Sequence, residues 1–252
     1  MNLDNQALKK YFKGTVSFEE YGDYLLPRRF TEKQFDRLLG QDFLLVRSKM
    51  TAGVILDFQT DAPRVSFDAI FLETSRNYYA FDIFVNGTLK RHFGEGGVTN
   101  GTTRHFETEL GEGEKSVQIF FPPLFETGIK NFRAPSASFI TACERKRKFL
   151  FFGDSITHGY ATKLASMTYA NILTRLFDAD SINQAIAGDV FNADNLDKGL
   201  DFNPDTVFVA YGTNDWRGGR DVLVTAEGYF KKLNEIYRGK KIFVILPIYR
   251  MD

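Results

Sequence analysis

Three short segments of the 252-residue chain hold the side chains best suited to chemistry. Gly153-Asp154-Ser155-Ile156-Thr157-His158-Gly159 offers a hydroxyl nucleophile, Ala187-Gly188-Asp189 a glycine whose amide can be approached closely, and Tyr211-Gly212-Thr213-Asn214-Asp215-Trp216 a carboxamide. Together these groups make an acyl-transfer inventory: a hydroxyl attacks a carbonyl, and amide donors stabilise the oxyanion that forms. Ser155 is read as the nucleophile. Its own N–H, the Gly188 N–H and the Asn214 side-chain amide are read as the oxyanion donors, each such donor typically being worth about 3 kcal/mol of barrier. Asp154, His158, Tyr211, Asp215 and Trp216 are the candidate pocket residues, and Tyr249 is a further strand-end aromatic. Asp154 and Asp215 are expected to hold loop backbone, and Asp189 to cap the helix that follows it.

The elements that must position these groups are legible from periodicity. Residues 149–152, 206–210 and 241–246 are apolar runs of the kind buried on both faces of a parallel sheet. A further strand is read at 180–186, and residues 160–177 and 221–237 place apolar residues at helical spacing. Alternating strands and helices predict a three-layer α/β/α domain of flavodoxin-like strand order, in which ligands bind at the carboxyl ends of the strands. All three segments sit there.

The first half has a different period. From about residue 42 to 140 it reads as short strands separated by turn residues, with 53–58, 64–71, 79–85 and 116–121 the clearest. Val65, Phe67, Ala69 and Phe71 would share one face, and Asn86-Gly87 has the chemistry of a type I′ hairpin turn. A β-sandwich is expected over residues 1–143, with one short helix at 32–39, followed by the α/β domain over 144–252. The basic run 144–148 between them is read as a solvated linker edge, and the glycine string 94–101 as a flexible turn.

The Gly-Asp-Ser segment, the isolated Gly188 and the Gly-x-Asn-Asp run, in this order and each after a strand, resemble the first three sequence blocks of the SGNH, or GDSL, hydrolases. The resemblance covers roughly residues 148–252 and implies Ser155 as nucleophile with the Ser155 amide, the Gly188 amide and the Asn214 side chain as oxyanion hole. More loosely, the first half resembles the jelly-roll domain that precedes the catalytic domain in some SGNH carbohydrate esterases. The implied activity is a serine esterase that hydrolyses short-chain esters, foremost O-acetyl groups on carbohydrate, through an acyl-enzyme.

The family also supplies a base from an Asp-x-x-His motif near its C-terminus, and no such motif occurs in these residues. The expectation is therefore an α/β domain incomplete at its C-terminus, with an exposed apolar edge at its fourth strand. The alternative is a non-catalytic carbohydrate-binding or degenerate esterase protein that lacks the base. His158 is three residues from Ser155 but too close in sequence to aim at its hydroxyl with ease; His92 and His105 are expected at the surface of the β half.

Composition narrows the partners. Lys plus Arg equals Asp plus Glu at 32 each, so there is no net pull towards nucleic acid or anionic membranes. Three scattered histidines and one cysteine make no metal cluster, and no dinucleotide or phosphate-loop fingerprint occurs, so no cofactor is expected. The α/β-hydrolase elbow Gly-x-Ser-x-Gly is not met, since position 157 is Thr. A substrate that is a small-molecule or carbohydrate ester remains. No secretory leader is visible and the single Cys143 fits a reducing compartment, so a cytoplasmic location is expected.

Overall fold

Strand alternation organises the first half of the chain. The structure, a computed structural model, describes residues 1–217 and 221–247; Tyr249 lies outside them. Its first elements are β1 (Asn2–Leu3), α1 (Asn5–Leu8), β2 (Phe12–Lys13), β3 (Ser17–Tyr21), β4 (Tyr24–Arg28), α2 (Glu32–Leu38) and α3 (Asp42–Ser48). Eight strands follow: β5 (Ile55–Thr60), β6 (Arg64–Thr74), β7 (Tyr78–Val85), β8 (Thr88–Gly96), β9 (Thr102–Glu109), β10 (Lys115–Phe120), β11 (Phe125–Arg133) and β12 (Ile140–Ala142). They form two antiparallel sheets, ordered β3-β4-β11-β6-β9 with β1 on β11, and β12-β5-β10-β7-β8 with β2 on β5.

The alternating residues of β6, Val65, Phe67, Ala69 and Phe71, all enter the core between these sheets, where they meet Phe81, Phe106, Phe121 and Phe125. The opposite face of β6 is also apolar locally, so the alternation is not strict: Ile70 and Leu72 cluster with Leu26 and Tyr24. The β7–β8 hairpin turns at Asn86 (φ 49°) and Gly87 (φ 78°), joining Val85 to Thr88, as a type I′ turn requires.

Two expectations for this half are corrected. Residues 42–48 form a helix, α3, and not the start of the β segments; a consecutive run such as Phe43-Leu44-Leu45-Val46 does not distinguish helix from strand, and Leu44 and Leu45 pack on Phe30, Leu38 and Ile186. The glycine string is not all turn, because β8 runs through Gly94 to Gly96.

The second half contains β13 (Arg147–Gly153), α4 (Ser155–His158), α5 (Tyr169–Leu176), β14 (Ala179–Asn183), β15 (Thr206–Ala210), α6 (Thr213–Arg217), α7 (Val222–Ile236) and β16 (Lys241–Val244). The four strands are parallel in the order β14-β13-β15-β16, which is the flavodoxin-like order. Successive residues of β13 point to opposite faces: Leu150 and Phe152 pack with Tyr229 and Leu233 of α7, and Phe149 and Phe151 with Ala170 and Leu173 of α5. That is why the run is continuously apolar. On the α5 face, Phe151, Phe208 and Phe243 stack in a row that ends in solvent, Phe243 being 54% exposed.

The helix expected over 160–177 is confined to residues 169–176. Gly159 (φ 86°) ends α4 in a left-handed cap, and Thr168 starts α5 by accepting the Asn171 N–H at 3.1 Å. Between them the chain is tied outward: Asp82 of β7 accepts the Ser166 N–H at 2.7 Å, and Asn171 donates to the Ala165 carbonyl at 2.8 Å. Tertiary hydrogen bonds override the helical period there. The linker is likewise anchored, since Arg145 donates to both oxygens of buried Asp57 (2.7 and 2.5 Å) and to Asp178 at 2.8 Å, joining the two halves.

Candidate active site

Three adjacent strand ends carry the site. Ser155 opens α4 directly after β13, and the Asp154 carboxylate caps that turn by accepting the Ile156 N–H at 3.0 Å. The Asp154 N–H donates to Ala210 O at 3.3 Å, tying the turn to the end of β15. After β14, the Ile186 N–H donates to Gly153 O at 3.0 Å, which brings the loop bearing Gly188 alongside. Past β15, Asn214 on α6 donates from Nδ2 to the Asp189 carbonyl at 2.8 Å. An amide nitrogen has two hydrogens, so this bond holds the Asn214 carboxamide in place and leaves its second N–H to give. The N–H groups of Ser155 and Gly188 have no acceptor among the described residues. Gly188 is at φ 93°, a left-handed conformation that disfavours any side chain.

The flanking carboxylates are buried and serve backbone. Asp215 accepts the Phe191 N–H at 3.1 and 3.3 Å. Asp189 does not cap a helix; it accepts from Asn195 Nδ2 (3.2 and 3.1 Å) and from the Tyr211 hydroxyl at 3.2 Å. Burial raises the pKa of Asp154, and it pushes that of Asp189 up to about 7, with the Asp215 charge adding to both. Tyr211 is buried in the α7-facing core, whereas Trp216 is 64% exposed. Asp154, Ile156, Tyr169, Tyr211, Thr213 and Pro247 line a cleft of about 180 Å³ beside Ser155. A larger groove of about 480 Å³ between the sandwich and α5, lined by Phe84, Gln118, Arg145 and Arg175, includes none of these residues.

His158 is not a pocket residue. It is fully buried: Nε2 donates to the Pro123 carbonyl of the sandwich at 2.7 Å, and Nδ1 accepts the Ala187 N–H at 3.3 Å. Burial, with the Arg29 charge, lowers its pKa to about 3, so the ring stays neutral and braces the loop before Gly188. The other two histidines are paired on sandwich strands, His92 with buried Asp82 at 2.7 Å and His105 with Asp68 at 2.6 Å. None of the three hydrogen-bonds Ser155.

The site also has sandwich-side residues that the sequence did not announce. Arg29, 1% exposed, donates its guanidinium to the Met50 (2.5 Å), Asn183, Ala185 (3.3 Å), Arg47 (3.3 Å) and Ser48 (3.5 Å) carbonyls. Gln34 and Gln184 exchange amide hydrogen bonds at 3.0 and 2.9 Å. Arg47 donates to the Ala187 carbonyl at 2.7 Å. A lone arginine in a β-rich half gives no sequence signal of this kind, because its partners are backbone carbonyls, and those of Asn183 and Ala185 lie more than a hundred residues away.

The sequence profile of the GDSL-like Lipase/Acylhydrolase family matches residues 151–251. That match spans the segments that carry Ser155, Gly188 and Asn214. No curated protein sequence matches the chain. Among solved structures, it is similar to a salicylyl-acyltransferase from a tetracycline biosynthetic pathway, with TM-score 0.78 and 19% identity over 92% of this chain and 68% of that one. A family two carbohydrate esterase from Cellvibrio japonicus aligns over 100% of this chain and 80% of its own, at TM-score 0.65 and 14% identity. Another, from Clostridium thermocellum in complex with cellohexaose, aligns over 80% and 74% at TM-score 0.64 and 18% identity. These likenesses extend through both halves and establish the fold as that of SGNH hydrolases preceded by a sandwich-like pair of antiparallel sheets.

Proposed function

We propose that the chain forms the nucleophile and oxyanion half of a serine esterase that removes short acyl groups, foremost O-acetyl, from carbohydrate. The observation that supports it best is the convergence of Ser155, the Gly188 N–H and the Asn214 amide on neighbouring strand ends, with the two backbone donors unclaimed and the carboxamide held by Asp189 O. In this reading the Ser155 Oγ attacks the ester carbonyl and its proton passes to a base. The oxyanion is held by the three donors, the C–O bond breaks as the alcohol leaves with that proton, and water then releases the acyl group. None of the three histidines serves as that base in this reading, since each is engaged elsewhere. The carbohydrate preference rests on the likeness to family two carbohydrate esterases.

The engagement of all three histidines also favours a second reading, in which the site binds an acylated sugar without turnover. Hydrolysis of 4-nitrophenyl acetate and of acetylated xylo-oligosaccharides by the native polypeptide, beside Ser155→Ala, separates the two. Turnover lost in Ser155→Ala supports the esterase. Saturable binding of the acetylated sugar with no turnover and no covalent labelling of Ser155 by a fluorophosphonate supports the binding protein.

A further inference from the structure

A strip of alternating rings and guanidinium groups lies against Gly188. An ideal Cβ at Gly188 would come 2.4 Å from the Phe43 ring and 3.1 Å from Arg47 Nη1. The Arg47 guanidinium carbon is 3.5 Å from the Phe43 ring centroid and 4.9 Å from that of Tyr160, and Arg76 stacks on Tyr160 at 4.6 Å. Arg47 also donates to the Tyr160 hydroxyl at 3.2 Å, and the Tyr160 N–H donates to the carbonyl of Ser155 at 2.9 Å. Three segments therefore meet beside the nucleophile: α3, the β6–β7 turn and the loop after α4.

Neither arginine pairs with a carboxylate within 4 Å among the described residues; the nearby Glu73 is taken by Lys49 at 3.9 Å. The two cations sit close enough for Arg76 to lower the Arg47 pKa, with burial as the larger cause, and both charges help hold the Tyr160 hydroxyl below its ordinary value. Arg76 and the Phe43 edge are exposed. Unpaired like charges held together beside a reaction centre are set to receive an anion, and guanidinium forks match a carboxylate.

We propose that Arg47 and Arg76 select an ester that itself carries a carboxylate, seated across Tyr160 while its carbonyl lies at Ser155 and Gly188. This rests on the esterase or ester-binding reading of that site. It deepens that reading by making the sandwich half the source of substrate choice. Phe43 and Tyr160 would flank the aliphatic part of the same ligand.

The test compares monomethyl succinate with dimethyl succinate for binding to the Ser155→Ala protein by calorimetry, and for hydrolysis by the protein with Ser155 intact. The acid ester is expected to bind about tenfold more tightly, one or two charge-assisted bonds in a partly exposed site. That ratio should fall towards one in Arg76→Gln, whose exposed side chain can be changed without disturbing the core, and in Arg47→Gln. It should also shrink in high salt. Equal affinity for the two esters, or a ratio unchanged in both variants, overturns the proposal. Stronger displacement by inorganic phosphate than by succinate overturns the carboxylate assignment. Failure of the esterase reading shows separately, as discrimination in binding with no hydrolysis of either ester.

Discussion

Replacing His158 with Gln tests whether the sandwich and the Gly188 loop behave as one unit. The ring donates to Pro123 O and accepts from the Ala187 N–H, so only the neutral tautomer protonated on Nε2 fits. A proton added to Nδ1 would face another donor. With its pKa held at about 3 against an ordinary 6.5, the group gives stability that is fully present above pH 6.5 and is lost as the pH falls towards 3. Between pH 6.5 and pH 4 the loss is about 3 kcal/mol, at roughly 1.4 kcal/mol per pH unit. Gln retains a donor and an acceptor but does not titrate. Urea unfolding at a series of pH values should show His158→Gln less stable by about 1–2 kcal/mol at pH 7, with imperfect hydrogen bonds. That gap should close or reverse by pH 4. A gap that stays constant across this window would falsify the buried, neutral assignment. Titration of other groups, common to both proteins, cancels in the difference.

The remaining predictions concern other buried groups. Asp189, with its carboxyl pushed up to about 7 from 3.8, favours the protonated form when folded, so stability falls as the pH rises from about 4 to 7 and then levels off. Asp189→Asn should gain on the wild type by about 3 kcal/mol between pH 5 and pH 8 in urea unfolding. Arg29→Met should cost about 3 kcal/mol or more by leaving buried carbonyls without donors, and Arg29→Lys should rescue only part of it, because an ammonium cannot span the same fork. Arg145→Gln strands the buried Asp57 carboxylate and should cost about 3–5 kcal/mol, visible as a lowered melting temperature; Asp57→Asn in the same background should recover stability.

Much of the fold was legible because its signals were local. The continuous apolar runs at β13 and β15, the β6 alternation and the Asn86-Gly87 turn each follow from the period of side chains or the φ tolerance of two residues. The order of Ser155, Gly188 and Asn214 along the chain was readable for the same reason, since each follows a strand. What was not legible depends on distant partners. The helical period of residues 160–168 lost to the Ser166 N–H bond accepted by Asp82 and the bond Asn171 donates to Ala165 O, and the apolar run in α3 was compatible with either state. His158 looked like a pocket residue only while its neighbours were unknown; burial against Pro123, 35 residues upstream, made it a brace.

These misreadings share a cause with implications for the site. Besides Phe151, Gly153 and Thr157, whose carbonyls accept from Gln184, Ile186 and Asn183, the groups that fix the loop from Asn183 to Gly188 are in the first half of the chain or bonded to it: Arg29 on the Asn183 and Ala185 carbonyls, Gln34 on Gln184, Arg47 on the Ala187 carbonyl, and His158 held by Pro123. Gly188 needs a positive φ to present its N–H, and nothing in a three-residue run of Ala-Gly-Asp enforces that conformation by itself. The sandwich does so from outside. Removing it would leave buried carbonyls, an amide and an imidazole without partners, each costing on the order of 1–3 kcal/mol. The loop that carries Gly188 thus belongs by sequence to one half of the chain and is shaped by the other.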